Sequence, residues 1–295
     1  MFLILYVIVL LCVAFFTLLE RKILGYMHIR VGPNKVFIAG LFQPVLDGIK
    51  LFIKESRRNF NLIKLLYFIF PFLSLFVILV IWQSFMFLQI DFFINRFLFF
   101  ILFSSLRVYF TIGRGWVSNS KYSVLGSYRR VAQVISYEVG FVFLILVFCI
   151  FVRGYRFSRI VYKNIWSHIL FYGFLFIFII WFVVILAELN RAPFDFAESE
   201  SELVSGFNIE YGGLKFAFLF LAEYGRIIYI SYLTIVIFVN IELLYCLVFI
   251  CRIVWVRGVF PRYRYDNLMY LNWKIFLPVI LIFLTGIYFF VLLNI

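Results

Sequence analysis

The chain has 295 residues, of which 66% are apolar and 14% charged, with a mean hydropathy of +1.09. Soluble domains run at about 45–50% apolar and about 25% charged, so a water-soluble globule is excluded. Lys and Arg number 27 against 14 Asp and Glu, a net charge of +13. These charges sit in blocks between long apolar runs, the pattern of a polytopic membrane protein with basic loops on the negative side.

A membrane-crossing helix needs about 20 mainly apolar residues, and the predicted spans in chain order are 1–19, 65–90, 97–112, 131–152, 165–187, 214–239, 241–257 and 275–293. The fold class is therefore all-α, a single integral membrane domain over 1–295 with about eight transmembrane helices. Residues 1–19 have neither a basic leading segment nor a small-residue cleavage site, which reads as a retained first helix. The third span carries Arg107. The stretch 214–257 must hold two helices joined by a tight turn near Asn240 to Glu242.

Between the first two spans lie nine cations (Arg21, Lys22, Arg30, Lys35, Lys50, Lys54, Arg57, Arg58 and Lys64) against Glu20, Asp47 and Glu55. The positive-inside bias puts this loop on the matrix or cytoplasmic side. Alternation then puts 113–130, 188–213 and 258–274 on the same side, while Arg153, Arg156, Arg159 and Lys163 fall opposite. Inside the first loop, Leu41, Phe42, Val45, Leu46, Ile49, Phe52 and Ile53 recur at three- and four-residue intervals. That spacing predicts an amphipathic helix over 38–55, lying on the membrane surface or on the bundle, with Asp47 beside its apolar stripe.

Cys12, Cys149, Cys246 and Cys251 are scattered through apolar runs, and the histidines are His28 and His168. This inventory assembles neither a zinc site nor an iron–sulfur cluster. Glycine strings for a dinucleotide or triphosphate are missing too. If the chain serves redox chemistry, its electrons come from a partner. The abundance of Phe (43) and Tyr (19) points to an A+T-rich genome, that of an organelle or a reduced bacterium.

Three carboxylates lie in or beside spans: Glu138, Glu188 and Glu223. A charge at the bilayer centre costs about 2.5–3.5 kcal/mol on insertion scales, so each is a functional candidate. The structural alternative is a buried ion pair, such as Glu223 with Arg226 one helical turn on. The segment 188–210 holds six of the fourteen acids in 23 residues, interleaved with Phe194, Phe196, Leu203, Val204, Phe207 and Ile209. That interleaving predicts an ordered acidic loop with carboxylates toward a polar cavity; an acidic docking loop is the competing reading.

The strings ERKILGYM (20–27) with RVGPN (30–34), QPVLDGIKLFIKE (43–55), SNSKYSVLGSYRRVAQVISYEVG (118–140), AELNRAPFDFAESESELVSGFNIEYGG (187–213) and PRYRYDNLMYLNWKIFLP (261–278) resemble, in order, the subunit 1 family of respiratory complex I. This is the proton-pumping NADH:ubiquinone oxidoreductase. The resemblance implies a multi-pass subunit of the mitochondrial inner membrane, organelle-encoded, or of a bacterial inner membrane. It implies ubiquinone as substrate, with NADH, FMN and iron–sulfur clusters confined to partner subunits. The implied partners are the hydrophilic quinone-module subunits, antiporter-like membrane subunits and phospholipid including anionic lipid, without nucleic acid.

On the same resemblance, the quinone-chamber positions are Arg21, Arg30, Asp47, Arg129, Arg191, Asp195, Glu198, Glu200, Glu202 and, near the lipid-side entrance, Phe220. The proton relay uses Glu138, Glu188 and Glu223. Arg114 and Arg130 depart from the expected pattern, as does the basic stretch from Arg153 to Lys163. Two rivals differ in class. The membrane subunit of an energy-converting hydrogenase should lack the full ESELVSGFNIEYGG run, and a proton-coupled secondary transporter should show inverted repeats and broken helices.

Overall fold

The computed structural model describes residues 2–54, 64–86, 96–152, 171–195, 211–238 and 243–293. Among them every regular element is helical: α1 Phe2–Met27, α2 Gln43–Ile53, α3 Lys64–Met86, α4 Arg96–Val117, α5 Lys121–Val152, α6 Phe171–Glu188, α7 Leu214–Phe238, α8 Leu243–Val259, α9 Tyr265–Tyr270 and α10 Leu277–Leu293. Among the described residues six helical stretches are long and apolar enough to cross a bilayer, α9 and α10 counting as one through the π-helical turn Leu271–Phe276 between them. α6 and α8 are shorter, at 18 and 17 residues. The two helices expected in 214–257 are present as α7 and α8, which pack together; the junction at Asn240 to Glu242 lies outside the described residues, as does Arg153 to Lys163.

Several helices outrun their apolar windows, because polar residues at their ends find partners inside the bundle. α1 continues through Glu20, Arg21 and Lys22 to Met27. The expected loop 113–130 contracts to Ser118–Ser120, since α4 and α5 both extend into it. Arg114 and Arg130 are buried there, at 3% and 6% exposure, so neither charge obliges the chain to leave the helix. Close approach is permitted by Gly115, where a Cβ would collide with the side chain of Ser127 on α5.

The core is aromatic. Trp181 of α6 is fully buried, with its ring centroid 5.0 Å from Phe141, 5.8 Å from Phe148 and 5.7 Å from Phe238. α5 and α6 pack on each other, and α5 also meets α4 and α10. α3 lies between α4 and α7, tied by the Trp82 indole donating to the Gly225 carbonyl at 3.1 Å. The π-helical turn is fixed to α5 by Asn272, whose amide donates to the Ser136 carbonyl at 2.6 Å, and by the Tyr137 hydroxyl donating to the Leu268 carbonyl at 3.0 Å. Extra backbone is thus accommodated against Ser136 and Gly140 of α5.

The predicted amphipathic helix is shorter than 38–55: a 3₁₀ turn over Ile38–Gly40 precedes α2. α2 rests on α1 and α7, and Val45, Leu46, Ile49 and Phe52 are about half exposed or more. Three segments expected on one side do meet at one end of the bundle. Arg191 bonds Glu20, and the Tyr263 amide donates to the Pro193 carbonyl at 3.0 Å.

Candidate functional site

At that end, where α1, α5, α7, α8 and the segment after α6 converge, Arg130, Leu189, Asn190, Arg191, Asp195, Phe220, Glu223, Tyr224 and Arg257 line a polar cavity of about 100 Å³. Its walls are ion pairs between distant segments. Arg130 Nη2 lies 2.7 Å from Glu223 Oε1. Glu20, 4% exposed, accepts from Arg191 at 3.1 Å and from Arg257 on the same oxygen. Arg191 also stacks 4.5 Å over the Tyr224 ring, a cation–π contact. Burial, the largest single influence, works against the Arg191 charge, but Glu20, Tyr224 and Glu223 together outweigh it and hold the guanidinium pKa above its ordinary value. For Asp195, burial comes first and raises the carboxyl pKa; Arg130 and Arg191 oppose it, and Glu223 adds to it. The site therefore holds cations and donors able to meet an anionic or partly reduced oxygen, and a carboxyl inclined to keep its proton.

Deeper in the bundle a second cluster centres on Glu188, at the C-terminus of α6 and 2% exposed. Arg107 Nη2 of α4 is 2.8 Å from Glu188 Oε1, and Arg226 of α7 binds the same oxygen. Glu138 of α5 is half-buried, with Oε1 3.3 Å from the Ser104 hydroxyl and Arg107 within electrostatic reach. Gln133, a turn before Glu138, donates to the carbonyls of Ala187 at 2.9 Å and Phe194 at 2.8 Å. It thereby fixes the end of α6 and the start of the acidic segment against α5. The helix-neighbour pair Glu223–Arg226, an example of the structural alternative, does not form: Glu223 takes Arg130 and Arg226 takes Glu188. Adjacency along one helix face brings two groups within reach, but α5 and α6 bring better-aligned partners from other directions.

The residues singled out from sequence fall in three places. Arg191, Asp195, Phe220 and Glu223 line the cavity, with Phe220 stacked on Tyr224 at 5.9 Å. Glu138 and Glu188 lie in the deeper cluster. Arg21 and Asp47 form their own pair at 2.6 Å where α1 meets α2, Gln43 donating to the same carboxylate at 3.0 Å. Arg30 is exposed beyond α1. Arg129 is half-buried and not among the cavity-lining residues, a place taken by its neighbour Arg130. Glu198, Glu200 and Glu202 lie outside the described residues.

Along its sequence, residues 1–288 match the family model described as NADH dehydrogenase. The chain is 47% identical to NADH-ubiquinone oxidoreductase chain 1 of Rhipicephalus sanguineus, covering 99% of this chain and 94% of the relative. It is 45% identical to the protein of that name from Aedes aegypti, over 98% and 96% of the two chains, and 45% identical to that from Patiria pectinifera, over 97% and 92%. The chain belongs to the NADH dehydrogenase family.

In this member of the NADH dehydrogenase family, the cations are what sequence reasoning undervalued. Glu20, Arg107, Arg226 and Arg257 form the ion pairs that centre on Glu20 and Glu188, and none was singled out as a site residue. A usable signal existed for Arg107 and Arg226, because an arginine inside a span requires a partner of opposite charge. Arg114 and Arg130, which stood apart from the expected pattern, prove to be part of the polar interior, with Arg114 within electrostatic reach of Glu223 and Arg130.

Proposed function

We propose that the chain is a core membrane subunit of proton-pumping NADH:ubiquinone oxidoreductase in the mitochondrial inner membrane, lining the ubiquinone chamber and coupling quinone reduction to proton translocation. The observation that carries this reading is the polar cavity of Arg130, Arg191, Asp195 and Glu223, bordered by Phe220 and adjoining a deeper row of intramembrane charge. Arg21, Arg30, Asp47, Arg129, Arg191, Asp195, Glu198, Glu200 and Glu202 are the chamber residues of this reading, with Phe220 at the lipid-side entrance. Cations beside the cavity stabilise negative charge on a reduced headgroup, while flanking rings suit an isoprenoid tail. Glu138, Glu188 and Glu223 form the charged row through which reduction acts on the pumping subunits. Electrons arrive from NADH through flavin and iron–sulfur clusters of partner subunits, and the proposed surroundings include antiporter-like subunits and anionic phospholipid.

The test uses the intact complex. A photoreactive ubiquinone should label this chain, and Asp195→Asn should lower quinone reductase activity by a factor that changes with tail length and headgroup. NADH oxidation by artificial acceptors should be retained. Absence of labelling, together with an equal defect for every quinone, would remove Asp195 and its cavity from the chamber.

A further inference from the structure

We propose that Glu138 is the carboxylate of the deeper cluster that takes up and releases a proton, and that Glu188 is a fixed anion held charged by Arg107 and Arg226. The inference rests on the relay reading above and gives its members unequal roles.

The geometry separates the two acids. Both guanidiniums converge on Glu188 Oε1, Arg107 from α4 at 2.8 Å and Arg226 from α7. Arginine keeps its proton in proteins. Protonating Glu188 would therefore leave two nearly buried cations, at 12% and 11% side-chain exposure, without their anion. Such a site is built to stay ionised.

Glu138 faces a different set of groups: Ser104 and Arg107 from α4, and Glu188 from α6. Its direct contact is a hydroxyl. Ser104 Oγ lies 2.9 Å from the Ile101 carbonyl and 3.3 Å from Glu138 Oε1, and a serine has one proton to donate. When that proton goes to Ile101, the contact with Glu138 is a hydrogen bond only if Glu138 carries a proton and donates it. When Glu138 is ionised, the Ser104 hydroxyl turns from Ile101 and donates to the carboxylate. Both protonation states of Glu138 thus have a satisfied partner, which Glu188 lacks for its neutral form.

Ser104 also borders a small cavity of about 20 Å³ whose lining is mainly apolar, including Val77, Ile81, Phe100 and Phe103, the kind of void that stays dry. The charge balance is simple. Arg107, Arg226 and Glu188 together carry +1 throughout, and the cluster alternates between +1 with Glu138 neutral and 0 with Glu138 ionised.

The experiment compares variants of the whole complex in sealed vesicles, reading NADH-driven proton pumping and the turnover-induced infrared band of a protonated carboxyl. Glu138→Gln should abolish both. The neutral triple variant Arg107→Gln/Glu188→Gln/Arg226→Gln should keep the band whatever its pumping rate, because the fixed charges leave together and Glu138 remains. Ser104→Ala, a small change that tests the switch even where the triple variant does not assemble, should shift the pH profile of pumping while NADH oxidation by artificial acceptors is unaltered. An assembled triple variant that has lost the band overturns the fixed-anion assignment, an unshifted pH profile in Ser104→Ala overturns the hydroxyl switch at Glu138, and neither result touches the relay reading. Full pumping by Glu138→Gln defeats the relay reading itself.

Discussion

Replacing the two arginines that share Glu20 should have unequal consequences, although both reach the same oxygen. Arg191 is 13% exposed and Glu20 5% by side chain, so Arg191→Gln removes one partner from a buried pair, a loss of about 3–5 kcal/mol. At 1.4 kcal/mol per power of ten, the ratio of correctly packed to unpacked chain falls by about two to three and a half powers of ten. The variant also forfeits the contact of Arg191 with the Tyr224 ring, worth about 0.5–2 kcal/mol. Arg257 is 34% exposed; water already solvates part of its charge, so Arg257→Gln belongs near the surface-pair value of about 1 kcal/mol, roughly fivefold. The measurement is the fraction of chain retained in the assembled complex on native gels after graded heating, for each variant beside the parent. Equal losses for the two variants, or a greater loss for Arg257→Gln, would refute the argument that burial ranks these pairs.

Two further outcomes follow from the same geometry. Because the Asp195 pKa is raised in the fold above its ordinary value of 3.8, the folded state binds the proton more tightly. Its contribution to stability is present at low pH and is lost as pH rises from the unfolded toward the folded value. Heat resistance of the parent complex should therefore fall over that window relative to Asp195→Asn, and parallel pH profiles for the two would contradict it. Gly115→Val should push α4 from Ser127 of α5 and cost about 1–3 kcal/mol by overpacking, seen as lower thermal retention of the complex; an unchanged melting profile would show that the helices separate freely.

Much of the architecture was legible without coordinates. Runs such as Phe171–Glu188 and Leu277–Leu293 cannot be solvated by water and close their own backbone bonds only as helices, so the helical bundle follows from composition and run length. The amphipathic α2 was readable from its periodic stripe, and the family from five strings in register. Helix ends were less readable, because Arg114 and Arg130 look like loop residues until their burial is known. The separation of Arg191 and Asp195 from the deeper Glu138 and Glu188 was likewise closed to one-dimensional reading.

Ion pairing is where tertiary structure alone decided. Arg107 and Glu188 are 81 residues apart, Arg130 and Glu223 93, Arg191 and Glu20 171, and Arg257 and Glu20 237. A sequence states how many charges of each sign must be satisfied inside a membrane. It also limits which neighbours on one helix can meet. It does not state which helices pack side by side, and at low dielectric the partner brought into hydrogen-bonding distance displaces one merely nearby along the chain. Glu223 therefore answers to α5 rather than to its own helix, and Glu188 acquires two cations where its own segment offered Arg191.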